Sequence, residues 1–300
     1  MKKNRFIISS LLAVLLAVGS AHAEEALRPE VGKPLQSAQE LIKAQKYKDA
    51  LAKIRDADAV AGKSAQESFT IERMRFVAAN GAGDADAAAK SLEALIASGK
   101  LAAADQQKFV QAVAVGYYRA KDYGKAITWT QRYFKEGGND GQMRTLLVQS
   151  YYLNGDYANA AKDLAAEFQA EEKGGGKPAQ DRLEMLAGCY VKLNDMGGYV
   201  GVLEKLATYY PKKEYWADLL HRIQKKPGFA DRLALDVYRL KLVSGNLGGA
   251  GDYMEMAQLA LQAGYPAEAK KVVDEGYARN LLGVGAEADR HKRLRDLVAK

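Results

Sequence analysis

Tyr151-Tyr152-Leu153-Asn154-Gly155-Asp156-Tyr157-Ala158-Asn159-Ala160 decides the fold of this 300-residue chain, because its landmarks occur twice. Thirty-four residues earlier stands Tyr117-Tyr118-Arg119-Ala120-Lys121-Asp122-Tyr123-Gly124-Lys125-Ala126. Both tyrosines, the aspartate, the tyrosine after it and the alanine all keep that one step. A fixed period of roughly 20 to 50 residues marks a stack of supersecondary units, none of which can bury its apolar face alone. Ahead of the landmarks, Val110, Val113, Ala114 and Tyr117 fall at i, i+3, i+4 and i+7, one face of a helix. Behind them, Ala126, Ile127, Thr130 and Phe134 begin a second helix. Gly155 can take the left-handed conformation that ends a helix, and Asp156 can cap the next. The unit is helix, turn, helix.

Weaker copies flank these two. Gln45-Lys46-Tyr47-Lys48-Asp49-Ala50 carries the turn and the alanine, and a stretch from Phe69 to Leu95 has the right length with few landmarks. Glu171 to Pro178 lengthens one connection, so Tyr190 follows Tyr151 by 39 residues. Leu183, Leu186, Ala187 and Tyr190 then form another first helix. Tyr199 stands where the small alanine is expected, which predicts a splayed or shifted pair. Farther on, Tyr215 to Leu220 begins a helix and Phe229 to Leu242 supplies a longer one. Tyr253, Met256, Ala257 and Ala260 lead through Gly264 to Ala269, Val272 and Val273, with Pro266 in the first turn of the second helix, a tolerated place. Glu287 to Lys300 is amphipathic through Ala288, His291, Leu294, Leu297 and Val298.

The second half of each unit, roughly Y-Y-x-x-G-D-Y-x-x-A, resembles the tetratricopeptide repeat (TPR). Residues 151–160 match it at every defined position, and residues 117–126 depart only at Lys121. The resemblance implies an all-α, right-handed superhelical solenoid of about seven antiparallel helix pairs with a C-terminal capping helix. Its clearest repeats are at about 105–137 and 138–171, a C-terminal repeat is at about 250–282, and the capping helix is at about 286–299. In such repeats the first (A) helices line a concave groove. Carried over by position, that face holds Lys108, Gln111, Val115, Tyr118 and Arg119 in one repeat. The next contributes Gln142, Thr145, Gln149, Tyr152 and Leu153, and the one after it Asp181, Glu184, Val191 and Lys192. Tyr118, Arg119 and Tyr152 are the preferred anchors for a protein or peptide partner, since Tyr and Arg dominate binding hot spots. Tyr117 and Tyr151 read as core.

The first residues predict the compartment. Met1, Lys2, Lys3 and Arg5 form a basic start, Phe6 to Val18 is apolar apart from Ser9 and Ser10, and Ala21-His22-Ala23 offers small residues for cleavage. This is the three-part pattern of a secretory signal peptide, cleaved after Ala23. The apolar run falls short of the roughly 20 residues that span a bilayer. The expected mature chain, residues 24–300, is periplasmic and carries no stable membrane insertion. Loss of three basic residues takes the formal net charge from +7 to +4. That is too little for a nucleic-acid partner. The cluster Arg290, Lys292, Arg293 and Arg295 reads as the solvated face of a terminal helix. Cys189, the one cysteine, cannot form an intrachain disulfide and reads as core.

Chemistry has little to work with. His221 and His291 sit on different elements without partners at metal-ligand spacing. Gly174-Gly175-Gly176-Lys177 lacks the preceding strand and following Ser or Thr of a phosphate loop, and Gly245 to Gly251 also lacks a strand. Both read as linkers. No nucleophile stands beside a base in any familiar motif. The expectation is no enzyme, no cofactor and no metal site: a periplasmic scaffold holding a protein or peptide segment. The alternative is a holdase-like or substrate-binding module for exported chains or cell-wall fragments. A narrower resemblance covers about 70 residues, through Tyr210-Pro211, Tyr215-Trp216, Leu219, Asp252-Tyr253, Met256 to Leu259, Gly264, Pro266, Ala269 and Val272. This stretch is similar to the C-terminal part of some periplasmic TPR proteins that accompany TonB–ExbB–ExbD systems. It implies a partner in an inner-membrane energy-transduction complex.

Overall fold

Repeated left-handed turns organise the chain. In the computed structural model, which describes residues 26–299, the first helix of a pair ends at a residue with positive φ: Gln45, Gly83, Lys121, Gly155, Asn194 and Gly264. One residue on, the backbone N–H donates to the carbonyl five residues back: Lys46 to Leu41, Asp84 to Ala79, Asp122 to Tyr117, Asp156 to Tyr151, Asp195 to Tyr190 and Tyr265 to Ala260. These bonds satisfy carbonyls that a helix end would otherwise leave unpaired. Asp84, Asp122, Asp156 and Asp195 then accept the N–H three residues ahead and start the second helix. Five residues beyond the left-handed position stand Ala50, Ala88, Ala126, Ala160 and Ala269, all fully buried. Small side chains there let paired helices approach closely.

The chain forms two compact units, dividing between Leu147 and Val148. The first contains α1 (Pro29–Lys43), α2 (Tyr47–Asp58), α3 (Ala65–Ala82), α4 (Ala85–Ala97), α5 (Ala103–Arg119), α6 (Tyr123–Lys135) and the start of α7 (Gly141–Leu153). Val31, Leu35, Ile42 and Ile54 form one buried cluster of this unit. Phe76 and Phe109 centre another, stacked at 4.2 Å between ring centroids. The second unit holds the rest of α7, then α8 (Tyr157–Lys173), α9 (Gln180–Lys192), α10 (Met196–Tyr209) and α11 (Lys213–Gln224). A 3-10 turn (Asp231–Leu233), α12 (Ala234–Val243), α13 (Ala250–Gln262), α14 (Pro266–Ala278) and α15 (Ala288–Val298) complete it. Tyr253, Met256, Val272 and Leu294 share its C-terminal core. Among the described residues the architecture is all-α, seven antiparallel pairs and a final helix, as the repeat pattern implied. The proposed signal peptide lies outside the described residues.

The structure departs from the sequence reading in several places. The helix expected from Phe229 begins as α12 at Ala234, because Gly228 turns at φ 80° and the backbone stays extended through Ala230. Leu297 points to solvent, while His291, Leu294 and Val298 are buried. Tyr199 stands in the alanine's place with its side chain turned toward the next pair. Its hydroxyl donates to Asp218 on α11 at 2.6 Å, and Arg222 lies over its ring. The close approach moves to Gly198, where an added Cβ would lie 2.8 Å from the Tyr190 ring. Gly176 donates its N–H to the carbonyl of Glu171, so the glycine run there closes the end of α8. Gly251 already lies inside α13.

Candidate functional site

The expected groove residues of the first unit stand on one stripe of α5. Lys108, Gln111, Val115 and Tyr118 follow at helical spacing, with Arg119 at the end. Lys108 is exposed and its Nζ lies 3.7 Å from Asp105. Gln111 and Val115 are half-buried, and Arg119 is exposed. Tyr118 is half-buried, its ring edge-on to Tyr123 at 5.7 Å, and burial raises the pKa of its hydroxyl. Tyr117 is buried, as expected of core. Its hydroxyl donates to Asp86 at 2.9 Å, and the Lys125 ammonium lies 2.7 Å from the same oxygen. Burial first, then the bond to Asp86, pushes the Tyr117 hydroxyl up to about 12. Thr145, on the part of α7 in this unit, is exposed and donates back to Gly141 at 3.2 Å.

In the second unit Gln149 and Tyr152 are half-buried on α7 and Leu153 is exposed. Tyr152 repeats the geometry of Tyr118, edge-on to Tyr157 at 5.4 Å. Its hydroxyl also rests on α9, 3.2 Å from where Gly188 would carry a Cβ. Both anchor tyrosines are therefore partly spent on packing, whereas Lys108, Arg119, Thr145 and Lys192 are exposed. On α9, Asp181, Val191 and Lys192 are exposed. Glu184 accepts from Gln180 at 2.7 Å and from the Tyr215 hydroxyl of α11. Burial, with Glu184 second, pushes that hydroxyl up to about 12. Sequence reading placed Glu184 on this face and missed Tyr215, whose place follows from the stacking of α11 on α10 and carries no repeat landmark.

Other reactive groups are structural. Cys189 is fully buried, and burial raises its thiol to about 11. His221 is exposed, whereas His291 is buried and accepts the Gly283 N–H at Nδ1. Glu172 holds Lys205 at 2.6 Å and accepts from Tyr209. Among the described residues, no group of three His, Cys, Asp or Glu side chains is placed to hold a metal ion. What the A-helix faces offer is amides, hydroxyls and cations at regular spacing, which suits a polypeptide backbone with its side chains.

Solved structures with some backbone likeness include the TPR2AB-domain:pHSP90 complex of yeast Sti1, 16% identical, with TM-score 0.40 over 90% of this chain and 98% of that one. The C-terminal part of a TPR repeat-containing protein from Cytophaga hutchinsonii is also 16% identical, with TM-score 0.37 over 86% and 98%. The apo form of RapI is 10% identical, with TM-score 0.35 over 90% and 97%. No protein-family model and no curated protein matches the chain. The fold rests on its own turns and helix pairs.

Proposed function

We propose that the chain is an exported, non-enzymatic scaffold that holds a protein or peptide segment against the A-helix faces. The observation that carries this reading is the repeated presentation of side chains by A helices: Lys108, Gln111, Tyr118 and Arg119 on α5, then Thr145, Gln149 and Tyr152 on α7, and Lys192 on α9. Stacked repeats present such extended surfaces to partners. Tyr118 and Tyr152 contribute rigid, partly exposed rings, and the exposed cations beside them suit carboxylates of the partner. The finer reading, an accessory of a TonB–ExbB–ExbD complex, is supported by sequence likeness between Tyr210 and Val272 alone.

Affinity purification of the tagged protein from the periplasm, beside a Lys108→Glu/Arg119→Glu/Lys192→Glu variant, tests the proposal. These positions are exposed, so the variant should keep the wild-type melting temperature. One or two stoichiometric partners lost from the variant are expected, with components of an energy-transduction motor among them on the finer reading. A diffuse set of chains unaffected by the variant would instead favour the holdase.

A further inference from the structure

Every exposed large hydrophobic side chain among the described residues lies at or beyond Leu153, in the second unit. Half of them fall at the turns between the two helices of a pair. Leu153 ends α7, Leu193 and Met196 flank the α9–α10 turn, Leu233 ends the α11–α12 connection, and Tyr265 closes the α13–α14 turn. These five are between 39% and 50% exposed. Side-chain contacts link the successive helices that bear these turns: Tyr152 rests on Gly188, Arg222 of α11 lies 3.3 Å from the Met196 sulfur, and Arg239 of α12 lies over the Tyr265 ring. The matching turns of the first unit carry Gln45-Lys46, Gly83-Asp84 and Lys121-Asp122, without exposed large hydrophobics.

The cations of this edge gather in one connection. Asp156 and Asp195 are engaged as helix caps. Lys225, Lys226 and Arg232, in the long α11–α12 connection, make no ion pair among the described residues; Asp231 stands beside Arg232, and Asp236, four residues on, pairs with Arg239. No described helix is long and apolar enough to cross a membrane. Shallow apolar tips in succession, with a tyrosine at one end and unpaired cations beside Leu233, have the make-up of a surface seated at the headgroup level of a bilayer.

We propose that the turn edge of the second unit, from Leu153 through Leu193, Met196 and Leu233 to Tyr265, docks peripherally on an anionic lipid bilayer. Leucine and methionine tips enter the interface while Lys225, Lys226 and Arg232 meet the phosphates. Apart from Leu153, which also ends the α7 face, these tips lie outside the A-helix positions proposed to hold a partner.

Vesicle co-sedimentation tests it, using the full mature chain with vesicles of phosphatidylglycerol and phosphatidylcholine in equal parts, and of phosphatidylcholine alone. Binding to the anionic vesicles that weakens at high salt is expected. It should fall at least about tenfold in Leu193→Asp/Leu233→Asp and in Lys225→Glu/Lys226→Glu/Arg232→Glu. Val243→Asp, on a strongly exposed residue at the other end of α12, should bind like wild type. Circular dichroism melts confirm that each variant folds. No binding, equal binding to both vesicles, or equal loss in Val243→Asp would overturn the proposal. So would binding of polyglutamate in place of vesicles, which would make the edge a site for acidic polypeptide.

Discussion

The Arg28 guanidinium forks onto Glu67 across 39 residues of chain, with Nε 2.9 Å from Oε1 and Nη2 2.8 Å from Oε2. The same carboxylate accepts the backbone N–H groups of Arg28 and Ser64, and so joins the start of α1 to the capping box of α3. Charge-assisted, two-pronged bonds of this kind are the stronger class of hydrogen bond. The Arg28 bond first, then the Ser64 N–H, holds the Glu67 carboxyl at about 2, against an ordinary 4.5. A pKa lower in the folded state than in the unfolded one gives stability that is complete above about pH 4.5 and is lost as pH falls toward 2. Glu67→Gln should melt below wild type at pH 7, with the gap closing as pH drops through that window. A gap of constant size would contradict the assignment.

Lys121 and Gly155 occupy the same turn position in successive repeats, at φ 62° and 80°. Only glycine takes that conformation without a Cβ penalty, which costs other residues about 1–2 kcal/mol. Part of the difference is returned by glycine's freedom in the unfolded chain. Lys121→Gly should therefore stabilise the protein by about 0.5–1 kcal/mol, and Gly155→Ala should destabilise it by about 1 kcal/mol. No atom lies within 4 Å of a Cβ at Gly155, so the loss there would be backbone strain alone. Urea titrations of both variants measure it.

Gly198 and Gly201 lie three residues apart in α10 and should respond in opposite directions to the same substitution. A Cβ at Gly198 meets the Tyr190 ring and Asp195 at 2.8 Å, while one at Gly201 meets nothing within 4 Å. Gly198→Ala should cost about 1–3 kcal/mol through overpacking. Gly201→Ala should gain about 0.5–1 kcal/mol from helix propensity. If both variants gain stability, the ring of Tyr190 does not depend on Gly198 for its place.

Local pattern made the pairs legible. The turn at Asn154-Gly155-Asp156 announces itself in a handful of adjacent residues, and the buried alanine follows at a fixed distance. Ala269 and Pro266 were equally readable, although their repeat stands more than 100 residues from the clearest copies. The late start of α12 was not legible, because Phe229 to Leu242 keeps a helical apolar pattern through a turn that Gly228 bends away. Nor could the sequence show that Tyr118 and Tyr152 spend their rings on Tyr123 and Tyr157. A half-buried tyrosine serves packing and binding with the same spacing, and only the register of neighbouring helices separates the two. Arg28–Glu67 and Arg239–Glu268 bridge 39 and 29 residues, and nothing in either local stretch announces its partner.

In-cell photo-crosslinking, with a benzophenone amino acid placed at one exposed position at a time, tests the binding face most directly. Lys108 and Lys192 report on A helices, and Thr128 and Lys162 on B helices. Discrete crosslinks to a partner from Lys108 or from Lys192, and none from Thr128 or Lys162, are expected. Crosslinks confined to Thr128 and Lys162, or absent from all four positions, would contradict the assignment of the A-helix faces as the surface that holds a partner.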